Sequence, residues 1–164
     1  MNPKHLIIFL ACALALTACN RPSRVEQYKA DKHQSDSIRL EEQTRSLAYY
    51  QTQLDALMPQ ADSLLAFFSY EKNKKYQDHG YYVVKGGTSL RIMVRDDGNN
   101  PILIYREGKR LTDTQAAALK GRDQEMAERA EHLRIVISDI KECEKRIART
   151  SLEVQKYQKR LQKQ

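Results

Sequence analysis

The chain has 164 residues, enough for one domain of ordinary size. It has no Trp and only 3 Phe, and 30% of its residues are charged, which excludes a large globular core and suits long amphipathic helices. The formal net charge is +7, and between Lys141 and Lys163 eight basic residues stand against three acidic ones, so that end either meets nucleic acid, an acidic protein or anionic lipid or is a solvated helix face.

The chain opens on a short basic start, Lys4 and His5, followed by the apolar run Leu6 to Leu16. That run is too short to span a bilayer as a permanent anchor. It ends in Leu16-Thr17-Ala18-Cys19. These residues resemble a bacterial lipoprotein signal, whose lipobox is a Leu, two small residues and an invariant Cys. The resemblance covers residues 1–19 only, and no family is recognised in the rest. It implies that residues 1–18 are a signal peptide removed before Cys19. It also implies that the Cys19 thiol carries a diacylglyceryl group and the new amine an acyl chain. Three acyl chains anchor stably, since each buried methylene adds roughly 0.8 kcal/mol. Residue 20 is Asn; in lipoproteins of this kind an Asp there often retains the protein in the inner membrane. The expected location is therefore the bacterial outer membrane, facing the periplasm. Cys12 leaves with the signal and Cys19 is consumed, so Cys143 stays alone in an oxidising compartment. Cys143 is either a small seam residue or one half of a disulfide between two copies.

Residues 19–36 read as the lipidated Cys and a polar tether, with little periodicity. A helix is expected over about 38–72. Leu40, Leu47, Leu54, Ala61 and Phe68 are seven apart, with Tyr50, Leu57 and Leu64 as a companion seam. Pro59 falls on the outer face of this pattern and the heptad phase continues across it, so a kink is expected rather than a break. Phe67, Phe68 and Tyr70 exceed what a seam needs and should pack on the next element.

That element is β, over about 80–106. Tyr81-Tyr82-Val83-Val84 is β-prone, Leu90, Ile92 and Val94 alternate, and Ile102-Leu103-Ile104-Tyr105 follows Pro101. Gly86-Gly87, Asp96 to Asn100 and Gly108 mark turns. The last helix is expected over about 112–164, opened by a capping box at Thr112 and Gln115. Gly121 weakens its first turns by about 1 kcal/mol relative to Ala. Its seam is Leu119, Met126, Leu133, Ile140, Ile147, Val154 and Leu161, with Val136, Cys143 and Tyr157 alongside.

The expected fold is mainly α with a small β element. An antiparallel two-helix coiled coil flanks a three-stranded antiparallel meander, all in one domain over 37–164. The meander's apolar face is expected to be covered by the aromatic end of helix one. The basic tail would return toward Cys19, with Lys156, Lys159, Arg160 and Lys163 as membrane contacts.

The residues with chemical potential form no catalytic constellation. His5, His33, His79 and His132 lack ligand spacing, and Asp78-His79 reads as loop polarity. Asp96-Asp97-Gly98-Asn99-Asn100 lacks the twelve-residue loop and terminal Glu of an EF-hand. Gly86-Gly87 is followed by no Gly-Lys-Ser/Thr. Arg91, Arg95 and Arg106 form a basic patch or simply keep the sheet soluble. No enzyme activity, catalytic residue, metal or cofactor is expected. The expected function is that of a membrane-anchored, non-enzymatic coiled-coil interaction or scaffolding protein. Its partners would be the membrane, through lipid, and an envelope protein; nucleic acid is disfavoured by the export signal, and a homo-oligomer is left open. The alternative is a periplasmic holdase, because the order helix, small β unit, helix is similar to prefoldin subunits.

Overall fold

The computed structural model describes residues 23–75 and 78–163. The lipobox and Cys19 lie outside them. The described chain is mostly helical with one five-stranded antiparallel sheet. The order is α1 (Arg24–Leu65), β1 (Phe68–Lys72), β2 (Gly80–Val84), β3 (Arg91–Arg95), β4 (Leu103–Arg106), β5 (Lys109–Arg110), α2 (Asp113–Ala117) and α3 (Gly121–Leu161). The chain divides into two compact units, Met1–Gln43 with Glu153–Gln164, and Thr44–Leu152.

Helix α1 starts well before the expected residue 38, so residues 24–36 are helix and not tether. The cause is a second capping box. Ser23 Oγ accepts from the Glu26 backbone N–H at 3.2 Å, and Glu26 returns a carboxylate to the Ser23 N–H at 2.7 Å. Two donors that a helix start leaves orphaned are thereby satisfied. Almost every side chain before Asp36 is exposed, which is why no apolar period announces this part. At Pro59 the helix is continuous, with the ring on the exposed side as expected. It ends at Leu65, not near 72. Phe67-Phe68-Ser69-Tyr70 is aromatic and β-prone, and pairing Phe68 with Val84 buries Phe68 to 3% exposure.

The strands form a meander in sequence order. The three expected strands are β2, β3 and β4, and the sheet gains β1 and β5 at its edges. Strand β5 follows the turn Glu107-Gly108, where both residues have positive φ (50° and 78°), the geometry of a tight hairpin. Register places Phe68, Tyr82, Val84, Ile92, Val94 and Ile104 on one face. The alternation expected at Leu90, Ile92 and Val94 holds, with exposures of 5%, 0% and 0%.

The cover of that face is α3, not the aromatic end of α1. Met126, Ala130, Leu133 and Ile137 join Phe68, Leu90, Ile92, Val94, Ile104 and Leu119 in one core, with Leu64 and Leu65 packed at its margin. The spacing 126, 130, 133, 137 is a helix stripe turned toward a sheet. Leu119, Met126 and Leu133 therefore belong to a sheet–helix core, where the seam assigned them to a coiled coil.

The expected 112–164 helix is two helices. The Thr112 box forms, with Thr112 Oγ1 accepting from Gln115 N–H at 3.3 Å and Gln115 Oε1 accepting from Thr112 N–H at 2.9 Å. It caps only the short α2. Gly121 adopts φ +56°, outside the right-handed helical region, so α3 begins anew there.

Candidate interaction surfaces

In the unit Thr44–Leu152 two carboxylates fix the loops around the sheet. Asp123, in the first turn of α3, accepts from the Thr88 hydroxyl, from Ser89 Oγ at 3.0 Å and from Ser89 N–H at 3.2 Å. Arg106 Nη2 lies 3.7 Å away. These donors, the Thr88 hydroxyl foremost, hold the Asp123 carboxyl below the ordinary carboxylate range. Beside it Arg122 Nε donates to the Gly87 carbonyl at 3.0 Å.

Asp96 does the same work at the other end of β3. Its Oδ2 accepts from Gly80 N–H at 2.7 Å and from the Tyr70 hydroxyl at 2.9 Å. Donating to Asp96 raises the pKa of Tyr70 above its usual value. A Cβ on Gly80 would stand 2.2 Å from the Tyr70 hydroxyl oxygen, so a larger residue there would displace the Tyr70 ring from Asp96. The turn that follows docks on α3: Arg134 Nη1 donates to the Gly98 carbonyl at 3.2 Å, and a Cβ on Gly98 would lie 2.5 Å from the Ser138 backbone nitrogen.

Around this frame lies an open cleft of about 660 Å³. Its apolar lining is Met58, Ala61 and Leu65 from α1, Tyr82 from β2, and Ile137 and Ile140 from α3. Its polar rim carries Asp62, Asp78, Asp96, Asp97 and Glu144 against Lys141 and His79. Lys141 Nζ is 3.2 Å from Glu144, His79 Nδ1 is 4.0 Å from Asp96, and Arg95 Nε, outside the cleft lining, is 2.8 Å from Asp97. Asp78-His79 lies in a loop, as expected, and that loop stands on the rim of the cleft, a placement that its sequence neighbours do not signal. Among the described residues no group of three His, Cys, Asp or Glu side chains is arranged to hold a metal ion.

Arg91, Arg95 and Arg106 do not form one patch. Arg91 and Arg95 stand on the sheet face away from the core, paired with Glu71 and Asp97, whereas Arg106 reaches Asp123. Cys143 is a half-buried free thiol at its seam position.

In the unit Met1–Gln43 with Glu153–Gln164, one polar knot stands out. Asp36 is buried to 5% exposure, with Arg160 Nη1 3.7 Å from its carboxylate. Arg39 Nη1 donates to the Tyr157 hydroxyl at 3.3 Å, and the Arg160 guanidinium stacks 5.4 Å from the Tyr157 ring. Of the expected membrane contacts, Lys156 pairs with Glu153 at 3.0 Å and Arg160 faces Asp36. Lys159 and Lys163 are exposed and make no ion pair among the described residues. Asp36 was legible in principle: it lies one heptad before Gln43 and two before Tyr50, on the companion seam.

No helix of the described residues is long and apolar enough to cross a membrane. Comparison with family models, with curated proteins and with solved structures finds no match to this chain.

Proposed function

We propose that this chain is a lipoprotein of the bacterial envelope, anchored through Cys19 in the outer membrane and facing the periplasm. Its helical body and sheet act there as a non-enzymatic interaction or scaffolding element. The observation that carries the reading is the lipobox Leu16-Thr17-Ala18-Cys19, which ends an apolar run too short to remain as a span. The body adds support, since Asp96 and Asp123 are engaged in holding loops. The long helices form an antiparallel coiled coil in this reading, supported by the pairs Asp36–Arg160 and Arg39–Tyr157, which run in opposite chain directions. Lys156, Lys159, Arg160 and Lys163 serve as an auxiliary contact with anionic lipid. Each exposed basic residue there contributes about 1 kcal/mol at most.

Metabolic labelling with palmitate tests the anchor. The native chain takes up label and Cys19→Ala does not; equal labelling of both would overturn the reading. A holdase with prefoldin-like assembly is the second reading, and the edge strand β1 favours it. Ser69 and Glu71 face β2 in the ladder, which turns the backbone groups of Phe68, Tyr70 and Lys72 to the open edge. A discrete trimer or hexamer in solution supports the holdase, and a monomer or dimer supports the scaffold.

A further inference from the structure

The chain carries a formal charge of +7, yet the cleft between α1, the sheet and α3 in the Thr44–Leu152 unit inverts that sign. Five carboxylates stand on its rim against one Lys and one His. Three of them are partly offset: Asp97 by Arg95, Glu144 by Lys141, and Asp96 by the donors Tyr70 and Gly80. Asp62 and Asp78 have no ion pair among the described residues and are exposed. Below this rim lies an apolar floor, of which Met58 is 46% exposed. Met is a flexible side chain that moulds to varied apolar surfaces.

From this geometry we infer that the cleft is the docking site for a partner polypeptide whose contact segment is basic on one side and apolar on the other. The proposal rests on the interaction reading above and gives it a place and a chemistry. An apolar floor of this size is open to any apolar ligand, but the rim selects. A cationic segment sets its Lys or Arg groups against Asp62, Asp78 and Glu144 while its apolar side chains cover Met58, Leu65 and Ile140. An acidic segment meets like charge along the same rim, which costs binding. The occupant is a foreign chain rather than a second copy. This chain's own basic stretch, Glu153–Lys163, buries Tyr157 to 6% exposure and half-buries Val154 and Leu161, so that stretch of a folded copy has little apolar side chain left to cover the cleft floor.

The test uses the full chain in a nonionic detergent and a fluorescent 14-residue probe peptide of Leu and Lys at helical spacing. A twin peptide has Glu in place of every Lys. The native chain should bind the Lys peptide saturably and more tightly than the Glu twin. Asp62→Asn with Glu144→Gln should weaken the Lys peptide about tenfold, as expected for two partly exposed charges. The gap should shrink in high salt. Partition of the peptide into micelles is common to both chains, so the difference between them reads the cleft. Both substituted residues are exposed, and an unchanged circular dichroism melt confirms the fold. Met58→Ser, which leaves every charge in place, should weaken the same peptide about threefold. Equal affinity of native and doubly substituted chains, or equal binding of the Glu twin, overturns the proposal. So does self-association of the native chain that the Lys peptide displaces, since the cleft would then be filled by a second copy. Failure here leaves the palmitate result untouched, so loss of the cleft and loss of the anchored reading are told apart.

Discussion

The two units carry the same kind of heptad text and make different structures of it. In Thr44–Leu152 the seam residues Met126 and Leu133 are 2% and 0% exposed, because a sheet supplies a broad second layer. In Met1–Gln43 with Glu153–Gln164 the apolar seam residues Leu40, Val154 and Leu161 are only half-buried. The residues most buried there are Tyr157 and the carboxylate Asp36, each tied to an Arg. Helix against helix hides a narrow stripe; helix against sheet hides side chains on all sides. The apolar period alone does not say which partner a stripe will meet.

The largest expected break lies in the sheet-backed unit. Leu133→Asp places an unpaired charge in the core and should cost about 4 kcal/mol or more, enough to unfold it. Leu152→Asp, at a site 67% exposed, should change stability by no more than about 0.5 kcal/mol. Equal losses in circular dichroism melts would show that the two sites are not distinguished by packing.

A middle effect is expected where the turn meets α3. Gly98→Ala adds a Cβ against the Ser138 backbone at a residue with φ +68°. The strain and the forced shift should cost about 2 kcal/mol. Urea unfolding showing no loss would place the turn away from α3.

A smaller effect, with a pH signature, is expected at Asp123. Its carboxyl titrates below its ordinary value of 3.8, held by Thr88 and Ser89. A group whose folded pKa is depressed contributes fully above the unfolded pKa and loses that contribution as pH falls through the folded one. The stability gap between the native chain and Asp123→Asn, about 1–2 kcal/mol at neutral pH, should therefore hold down to about pH 4. It should close below that. A gap independent of pH would mean that the charge is not what the loop recognises.

Much of this was legible in the chain. The strands β2, β3 and β4 announced themselves by alternation, and both long helices by their seams. The misplaced boundaries have particular causes. Ser23 and Glu26 begin a helix whose first turns bury nothing, so periodicity is silent there. Phe68 fits a heptad by spacing, yet pairing with Val84 takes it into the sheet. Thr112 and Gln115 form a genuine cap, but Gly121 stops what they begin. The cleft was not legible, because Asp62, Asp78, Asp96 and Glu144 come together only through tertiary structure.

The smallest expected effect belongs to the helical end. Changing Lys156, Lys159 and Lys163 together to Gln, with Arg160 left beside Asp36, should leave helicity unchanged and reduce binding to anionic vesicles at low salt. Unchanged vesicle binding would make these charges only a solvated face.

Native-state hydrogen exchange tests the division between the two units most directly. Amides of Ile92, Val94 and Leu133 should exchange only through the largest openings, whereas those of Arg39–Gln43 and Val154–Tyr157 should exchange through smaller local ones. Protection in those helical segments equal to that of Ile92 and Leu133 would contradict that division.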